Sequence, residues 1–257
     1  IEASLISACG HLLNFSGTDT VPAISLLEKY YNADSDKELI GGSVSATEHS
    51  VMCMGTIEDE IGTFRRLICE VYPKGIVSIV SDTWDLWKVL TDYLPKLKEE
   101  VLSREGKVVI RPDSGDPVDI ICGNPNGKND NEKKGVIELL WETFGGTTNS
   151  KGYKELDPHI GAIYGDSITV ARATQICERL KEKGFASTNI VLGIGSYTYQ
   201  YNTRDTFGFA MKATYGEVNG QGREIFKDPI TDDGTKKSAK GLMKIELKNG
   251  TYKLIDQ

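Results

Sequence analysis

Short apolar runs recur along the chain. Most close on a polar or glycine-rich turn and lead into a stretch with helical spacing. Residues 75–80 (GIVSIV) are the clearest run: β-branched and apolar on both faces, as a strand inside a parallel sheet is. Residues 107–110 (KVVI), 160–164 and 189–192 read the same way, and 11–15 (HLLNF) and 43–46 (SVSA) predict two further strands. Between them the spacing predicts helices. One covers 21–31, with Pro22 in its first turn and Thr20 as N-cap. Another covers 51–72, with Ile57, Ile61, Phe64, Leu67 and Ile68 on one side. A third runs over 83–98, capped by Asp82 with Asp85 three residues on, and ended or kinked by Pro95. Helices at 136–144 and 169–183 follow, the latter stopped by Gly184. Residues 122–134 and 145–154 read as loops and 207–215 as a strand carrying Lys212. From about 216 onward, Gly- and Lys-rich turns alternate with short strands.

The polar residues that end these strands carry the candidate chemistry. Asp19, Asp82, Arg111 with Asp113, Asp166, and Gly193 to Gly195 each follow the C-terminal end of an apolar run. That is the pattern of a β/α barrel or an open parallel sheet, whose ligands gather at the strand C-termini. Arg111 presents a planar fork for phosphate oxygens, and Asp113 supplies oxygen for magnesium or for sugar hydroxyls. His49 stands at a helix start, where backbone N–H groups face anions. The loop at 193–196 (GIGS) lets a phosphate approach the backbone, although it lacks the spacing of a dinucleotide fingerprint. Capping, or a surface Arg–Asp turn, accounts for each residue alone. It accounts less well for the company of Arg111, the Gly loop, Arg204 and Lys212, so the set points to a phosphorylated ligand.

Composition narrows the picture. The chain has 257 residues, enough for one large α/β domain or two small ones, and its net charge of −7 argues against a general nucleic-acid surface. No apolar run reaches the roughly 18 residues of a membrane span. Five widely spaced cysteines without a C-x-x-C fit a reducing, cytoplasmic setting. The three histidines lack metal-ligand spacing. The chain begins without Met, as a fragment or a processed chain does.

Taken together, NFSGTDTV, SATEHS, SIVSDTWD, VIRPDSGDP, YGDSIT, the GIGS loop with QYNTRD, FAMKATY and FKDPITD occur in the order seen in the nicotinamide phosphoribosyltransferases. The chain resembles that family, in its bacterial or phage form, over about residues 3–245. The resemblance implies an α/β fold: the β/α-barrel core of a type II phosphoribosyltransferase, here incomplete, spanning 1–257 with a Gly/Lys-rich extension from about 216. It implies synthesis of nicotinamide mononucleotide and pyrophosphate from nicotinamide and phosphoribosyl pyrophosphate, with Mg2+. ATP is a co-substrate acting through a phosphohistidine, which matches His49. A homodimer with active sites at the subunit interface is also implied.

Roles carry over residue by residue from the resemblance. Asp19 matches the position that meets the nicotinamide amide, with Ser78 nearby. Arg111 matches a residue near both base and pyrophosphate, and Asp82 and Asp113 match acidic positions around the magnesium-bound pyrophosphate and ribose. Gly165 and Asp166 match ribose contacts. Gly195, Ser196, Arg204 and Lys212 match the 5′-phosphate pocket, and Lys227 and the Lys236/Lys237 pair fall in a region of phosphate and nucleotide contacts. Ser196 stands where relatives often have Gly, and Ala210 where some have Ser. The family's chains are longer by a domain's worth at the N-terminus, the part that supplies an aromatic clamp and an Arg near the pyrophosphate. Two alternatives accompany this expectation. One is a nicotinate phosphoribosyltransferase, against which the Asp19 carboxylate argues. The other is a truncated, non-catalytic ligand-binding or dimerising module.

Overall fold

A computed structural model describes residues 2–195, 204–208, 211–234 and 237–256. It divides into two compact units. The smaller comprises Ile1–Ser45 and Ile194–Ala210, the larger Ala46–Gly193 and Met211–Gln257.

In the smaller unit two helices, α1 (Glu2–Leu12) and α2 (Pro22–Tyr31), pack through Ala8, Cys9, Ala23 and Leu27. The strand expected at 11–15 is therefore not formed. Leu12 continues the helical register of Ala8 and packs against this small core, so the apolar pair at 12–13 belongs to a helix end. Pro22 opens α2 as its fixed φ predicts, but Val21 is the N-cap and no side chain caps it, which corrects the assignment to Thr20. A parallel bridge between Gly17 and Gly42 holds the Asp19 turn.

The larger unit is mixed α/β around a central sheet. The chain passes into it through the two-residue strand β1 (Ser45–Ala46). The expected helix over 51–72 is two: α3 (His49–Gly55) and α4 (Glu60–Arg66), the latter running into a π-helical turn at Leu67–Val71. Thr56 takes φ 67, which ends α3, and the Asp59 carboxylate restarts the helix by accepting from the Gly62 N–H. After β2 (Lys74–Val80) come α5 (Leu86–Lys88), a π-helical turn at Val89–Tyr93, α6 (Leu94–Lys96) and α7 (Lys98–Leu102). The cap of α5 is Asp85, which accepts from the Lys88 N–H; Asp82 is not a cap.

β3 (Glu105–Arg111) leads to α8 (Pro117–Cys122), an unexpected helix that Asp116 caps and Pro117 opens. α9 (Asp130–Phe144) starts within the expected loop and kinks at Gly135. The loop expected over 145–154 holds a hairpin, β4 (Gly146–Thr148) with β5 (Lys154–Leu156). β6 (Ile160–Tyr164), α10 (Val170–Glu182, capped by Thr169) and β7 (Ile190–Leu192) form as expected. The tail forms two antiparallel hairpins: β8 (Tyr215–Val218) with β9 (Gln221–Glu224), and β10 (Met243–Lys248) with β11 (Thr251–Asp256). Among the described residues of 207–215 the expected strand is not formed before Tyr215. Phe207 ends a 3-10 turn, and 211–214, with Lys212, precede β8 without regular structure.

The sheet order is β1-β2-β3-β6-β7, and the pairs β2–β3, β3–β6 and β6–β7 are parallel. Val77, Ile79 and Val80 of β2 and Val108 and Ile110 of β3 are fully buried, on both faces of the sheet. This explains why these strands read as unbroken apolar runs. Because the strands are parallel, the polar residues that end them lie along one edge. There, a Cβ on Gly193 would fall 2.8 Å from the Gly165 Cα, so only glycine lets the β7 and β6 ends approach this closely.

A buried arginine secures the far side. Arg104 donates to the carbonyls of Ile68 and Tyr72, at the π-helical ending, and of Gly75 at the start of β2.

Candidate active site

β2 and β3 pair with Ser78 opposite Val109 and Val80 opposite Arg111. Side chains alternate along each strand, so Ser78 and Arg111 emerge on the same face, diagonally adjacent. Thr47 ties their ends together. Its N–H donates to Ser78 O (2.9 Å), its Oγ1 accepts from the Val80 N–H (2.9 Å), and its carbonyl accepts from Arg111 Nη2 (2.7 Å). Among the described residues, Arg111 Nε and Ser78 Oγ are buried polar atoms without a hydrogen-bond partner. Each such group costs about 1–3 kcal/mol when left unmet; Glu60, Thr83, Trp84 and Arg104 hold others, and the Ser78–Arg111 pair is set apart by lying on one face of β2 and β3.

Two residues beyond the end of β2, past Ser81, the Asp82 side chain is completely buried. Its Oδ1 lies 3.2 Å from His49 Nε2, at the first position of α3, and its Oδ2 accepts from the Asp113 N–H (2.9 Å) and the Ser114 hydroxyl. Burial alone would raise this carboxyl. The bond and charge of His49, with the donations from Ser114 and Asp113, outweigh burial and hold it below the ordinary carboxylate range. An ionised Asp82 only accepts, so His49 Nε2 carries the proton and, in the neutral ring, Nδ1 is the bare nitrogen.

The end of β6 closes the group. The buried Tyr164 hydroxyl donates to Gly115 O at 2.9 Å, fixing the turn after Asp113. Burial raises this phenol, and the charges of Asp166, Asp82, Asp113 and Asp116 raise it further, so four carboxylates act on one side chain. The larger unit thus brings together Ser78, His49, Asp82, Arg111, Asp113, Gly165 and Asp166.

The remaining expected residues fall elsewhere. Asp19 belongs to the smaller unit, where it is exposed and accepts from the Ser43 hydroxyl at 2.7 Å. Gly195 and Arg204 belong to the same unit, Arg204 opening the 3-10 turn Arg204–Phe207. Lys212 is exposed and Lys227 buried, and Lys237 pairs with Asp228 at 2.9 Å. Ser196 and Lys236 lie outside the described residues.

The acidic groups fit magnesium unequally. Asp82 has both oxygens engaged and no exposure, so direct ligation would break its bonds to His49, Ser114 or Asp113; it does not fit the ligand role expected of it. Asp113, half-buried at the head of the loop, does fit. Among the described residues no cluster of three metal-ligating side chains occurs. Magnesium commonly needs only one or two carboxylates when substrate phosphates complete its shell.

Residues 2–253 match the model of the nicotinate phosphoribosyltransferase (NAPRTase) family. The chain belongs to that family. Among its curated relatives are three proteins named nicotinamide phosphoribosyltransferase. The one from Acinetobacter baylyi is 58% identical over 98% of this chain and 50% of its own length. That from Mycoplasma pneumoniae is 42% identical over 94% and 50%, and that from Xanthomonas campestris 34% identical over 100% and 52%. The chain therefore spans about half the length of the relatives it matches. In this NAPRTase-family chain the structure adds four residues to the site: Thr47, Ser114, Tyr164 and, through the bond of its Oγ1 to Ser114 Oγ, Thr231. In sequence Ser114 reads as turn composition and Tyr164 as an apolar strand residue, and no signal distinguishes Thr47 or Thr231.

Proposed function

We propose that the chain forms part of a nicotinamide phosphoribosyltransferase, which makes nicotinamide mononucleotide and pyrophosphate from nicotinamide and phosphoribosyl pyrophosphate. The family membership and the names of the relatives support this reading. The observation that carries it is the pair of unmet buried groups, Arg111 Nε and Ser78 Oγ, beside the His49–Asp82 pair. The described sheet is read as part of the family's β/α barrel.

Breaking the bond to the ribose anomeric carbon releases pyrophosphate as carbocation character builds, so the protein must chiefly orient reactants and meet a departing anion. Arg111, anchored at Nη2 by Thr47, holds its guanidinium rigidly and offers Nε to that anion. Asp166 and Gly165 hold ribose hydroxyls, and Asp113 orients the ribose or a magnesium ion. Magnesium, when bound, neutralises charge on the pyrophosphate. Asp19 meets the nicotinamide amide, while Gly195, Ser196, Arg204 and Lys212 take the 5′-phosphate; these roles rest on the resemblance of their motifs.

ATP drives the reaction through His49. Nδ1 attacks the γ-phosphorus, an N–P bond forms, the P–O bond to ADP breaks, and Nε2 keeps its proton, donated to the Asp82 carboxylate, which stabilises the charged ring. The working protein is a homodimer in the cytoplasm. Five cysteines, all free, suit that compartment.

Two other readings remain to be separated: a nicotinate phosphoribosyltransferase, since the matched family carries nicotinate in its name, and a non-catalytic ligand-binding or dimerising module. One assay separates all three: product formation from nicotinamide or nicotinate, each with and without ATP. Nicotinamide mononucleotide, increased by ATP, supports the proposal. Preference for nicotinate supports the first alternative, and phosphoribosyl pyrophosphate binding without turnover supports the second.

A further inference from the structure

Asp82 is held by more than its near neighbours. The segment 226–231 lies across the loop that follows β2. Cys53 Sγ donates to Phe226 O (2.8 Å), the Asp228 N–H to Thr83 O (3.2 Å), and the Ile230 N–H to Trp84 O (2.9 Å). This places Thr231 over the Ser114–Gly115 turn, where its Oγ1 is hydrogen-bonded to Ser114 Oγ. The fit is close on both sides. A Cβ on Gly115, whose φ is +84, would come within 3.0 Å of Thr231 O, and Ser114 has no exposure at all.

Proton counting gives the bonds a direction. The ionised Asp82 cannot donate, so Ser114 gives it the single hydroxyl proton that serine possesses. Ser114 Oγ is then left as an acceptor, and Thr231 must donate to it. The chain of donation runs from Thr231 through Ser114 to Asp82, whose other oxygen receives the proton of His49 Nε2.

We propose that Thr231 is a positioning residue. Its hydroxyl orients Ser114, and Ser114 orients the Asp82 carboxylate that sets the tautomer of His49. The C-terminal segment, more than a hundred residues from Ser114 in sequence, thereby controls which imidazole nitrogen is bare. The inference deepens the reading of His49 and Asp82 as working groups and uses no catalytic assay for its main test.

That test is NMR of the full chain labelled with 15N-histidine. With three histidines, His49 is assigned by the loss of its signals in His49→Asn. The wild type shows His49 protonated on Nε2, with a slowly exchanging N–H resonance at low field. Thr231→Val keeps the shape and removes the hydroxyl; this resonance broadens into exchange and the ring becomes a mixture of tautomers. Thr231→Ser keeps the hydroxyl and restores the wild-type signature, while Ser114→Ala gives the full loss. Thr231 is only partly buried, so these variants stay folded, and Thr231→Ala substitutes for Val should that side chain disturb the segment. An unchanged His49 signature in Thr231→Val overturns the proposal, even where Ser114→Ala changes it. Turnover is a separate readout. If the wild type is active, Thr231→Val lowers the ATP-stimulated rate about five-fold, the worth of one hydrogen bond, with the nicotinamide KM unchanged. If the wild type is inactive, the reading of the site fails while the NMR outcome still decides the role of Thr231.

Discussion

Asp82→Asn is the sharpest perturbation of the buried centre, because it changes charge and keeps shape. The donors from Asp113 and Ser114 converge on one oxygen, Oδ2, and an amide oxygen placed there still accepts from both. The other position becomes an NH2 group facing His49 Nε2. Two donors then oppose each other unless the imidazole moves its proton to Nδ1. The variant loses one charge-assisted bond, worth about 1.5–3 kcal/mol, and weakens the other two, while it escapes the cost of burying a carboxylate. We expect a net loss of about 2 kcal/mol at pH 7, read from urea unfolding. The pH dependence follows from the sign of the shift. The folded carboxyl lies below its ordinary 3.8, so its stabilisation is complete above the unfolded value and disappears as pH falls through the folded value. The gap between wild type and variant should thus persist down to about pH 4 and narrow below it. Equal stability at pH 7, or a gap that fails to narrow below about pH 4, would refute the assignment of Asp82 as an ionised, three-way acceptor. The same proton shift occupies Nδ1, so ATP stimulation is also expected to vanish.

Three further outcomes follow from other parts of the molecule. Glu60 is buried; burial, opposed by Lys88 and reinforced by Asp85 and Asp82, raises its carboxyl from 4.5 to about 8. The folded state then binds the extra proton across that window, so stability falls as pH rises through it, and Glu60→Gln should gain about 2–4 kcal/mol over wild type between pH 5 and 8.5 in urea titrations. Arg104→Ala strands the carbonyls of Ile68, Tyr72 and Gly75 and should cost about 3 kcal/mol in thermal or urea unfolding, a loss below 1 kcal/mol counting against the capping role. Asp19→Ala should lower turnover with nicotinamide about ten-fold and narrow the preference over nicotinate, measured as the ratio of kcat/KM values; an unchanged ratio removes Asp19 from base recognition.

What could be read in the sequence divides by distance along the chain. The strands at 75–80 and 107–110 are legible because burial on both faces demands uninterrupted apolar residues, and those at 160–164 and 189–192 as short apolar runs, although Val191 of the last is exposed. The polar residues at their ends were legible as a set because parallel strands bring those ends to one edge. The segment 11–15 misled because a short apolar run suits a helix end as well as a strand, and the partner that decides, the α2 face with Ala23 and Leu27, is supplied by packing. Asp82 reads as a cap for a related reason. The Asp82–Asp85 spacing imitates a capping pair locally, whereas its actual partners, His49 and Ser114, are 33 and 32 residues away. Thr231 is farther still from Ser114, 117 residues, and only the folded chain puts the two hydroxyls together.

The central claim is that these strand ends serve nicotinamide mononucleotide synthesis driven through His49. It is tested most directly by measuring that product from nicotinamide and phosphoribosyl pyrophosphate, with and without ATP, for wild type and His49→Asn. We predict that ATP raises the wild-type yield and leaves the variant at its ATP-free level. ATP stimulation that survives in His49→Asn, or product formed from nicotinate in preference to nicotinamide, would contradict it.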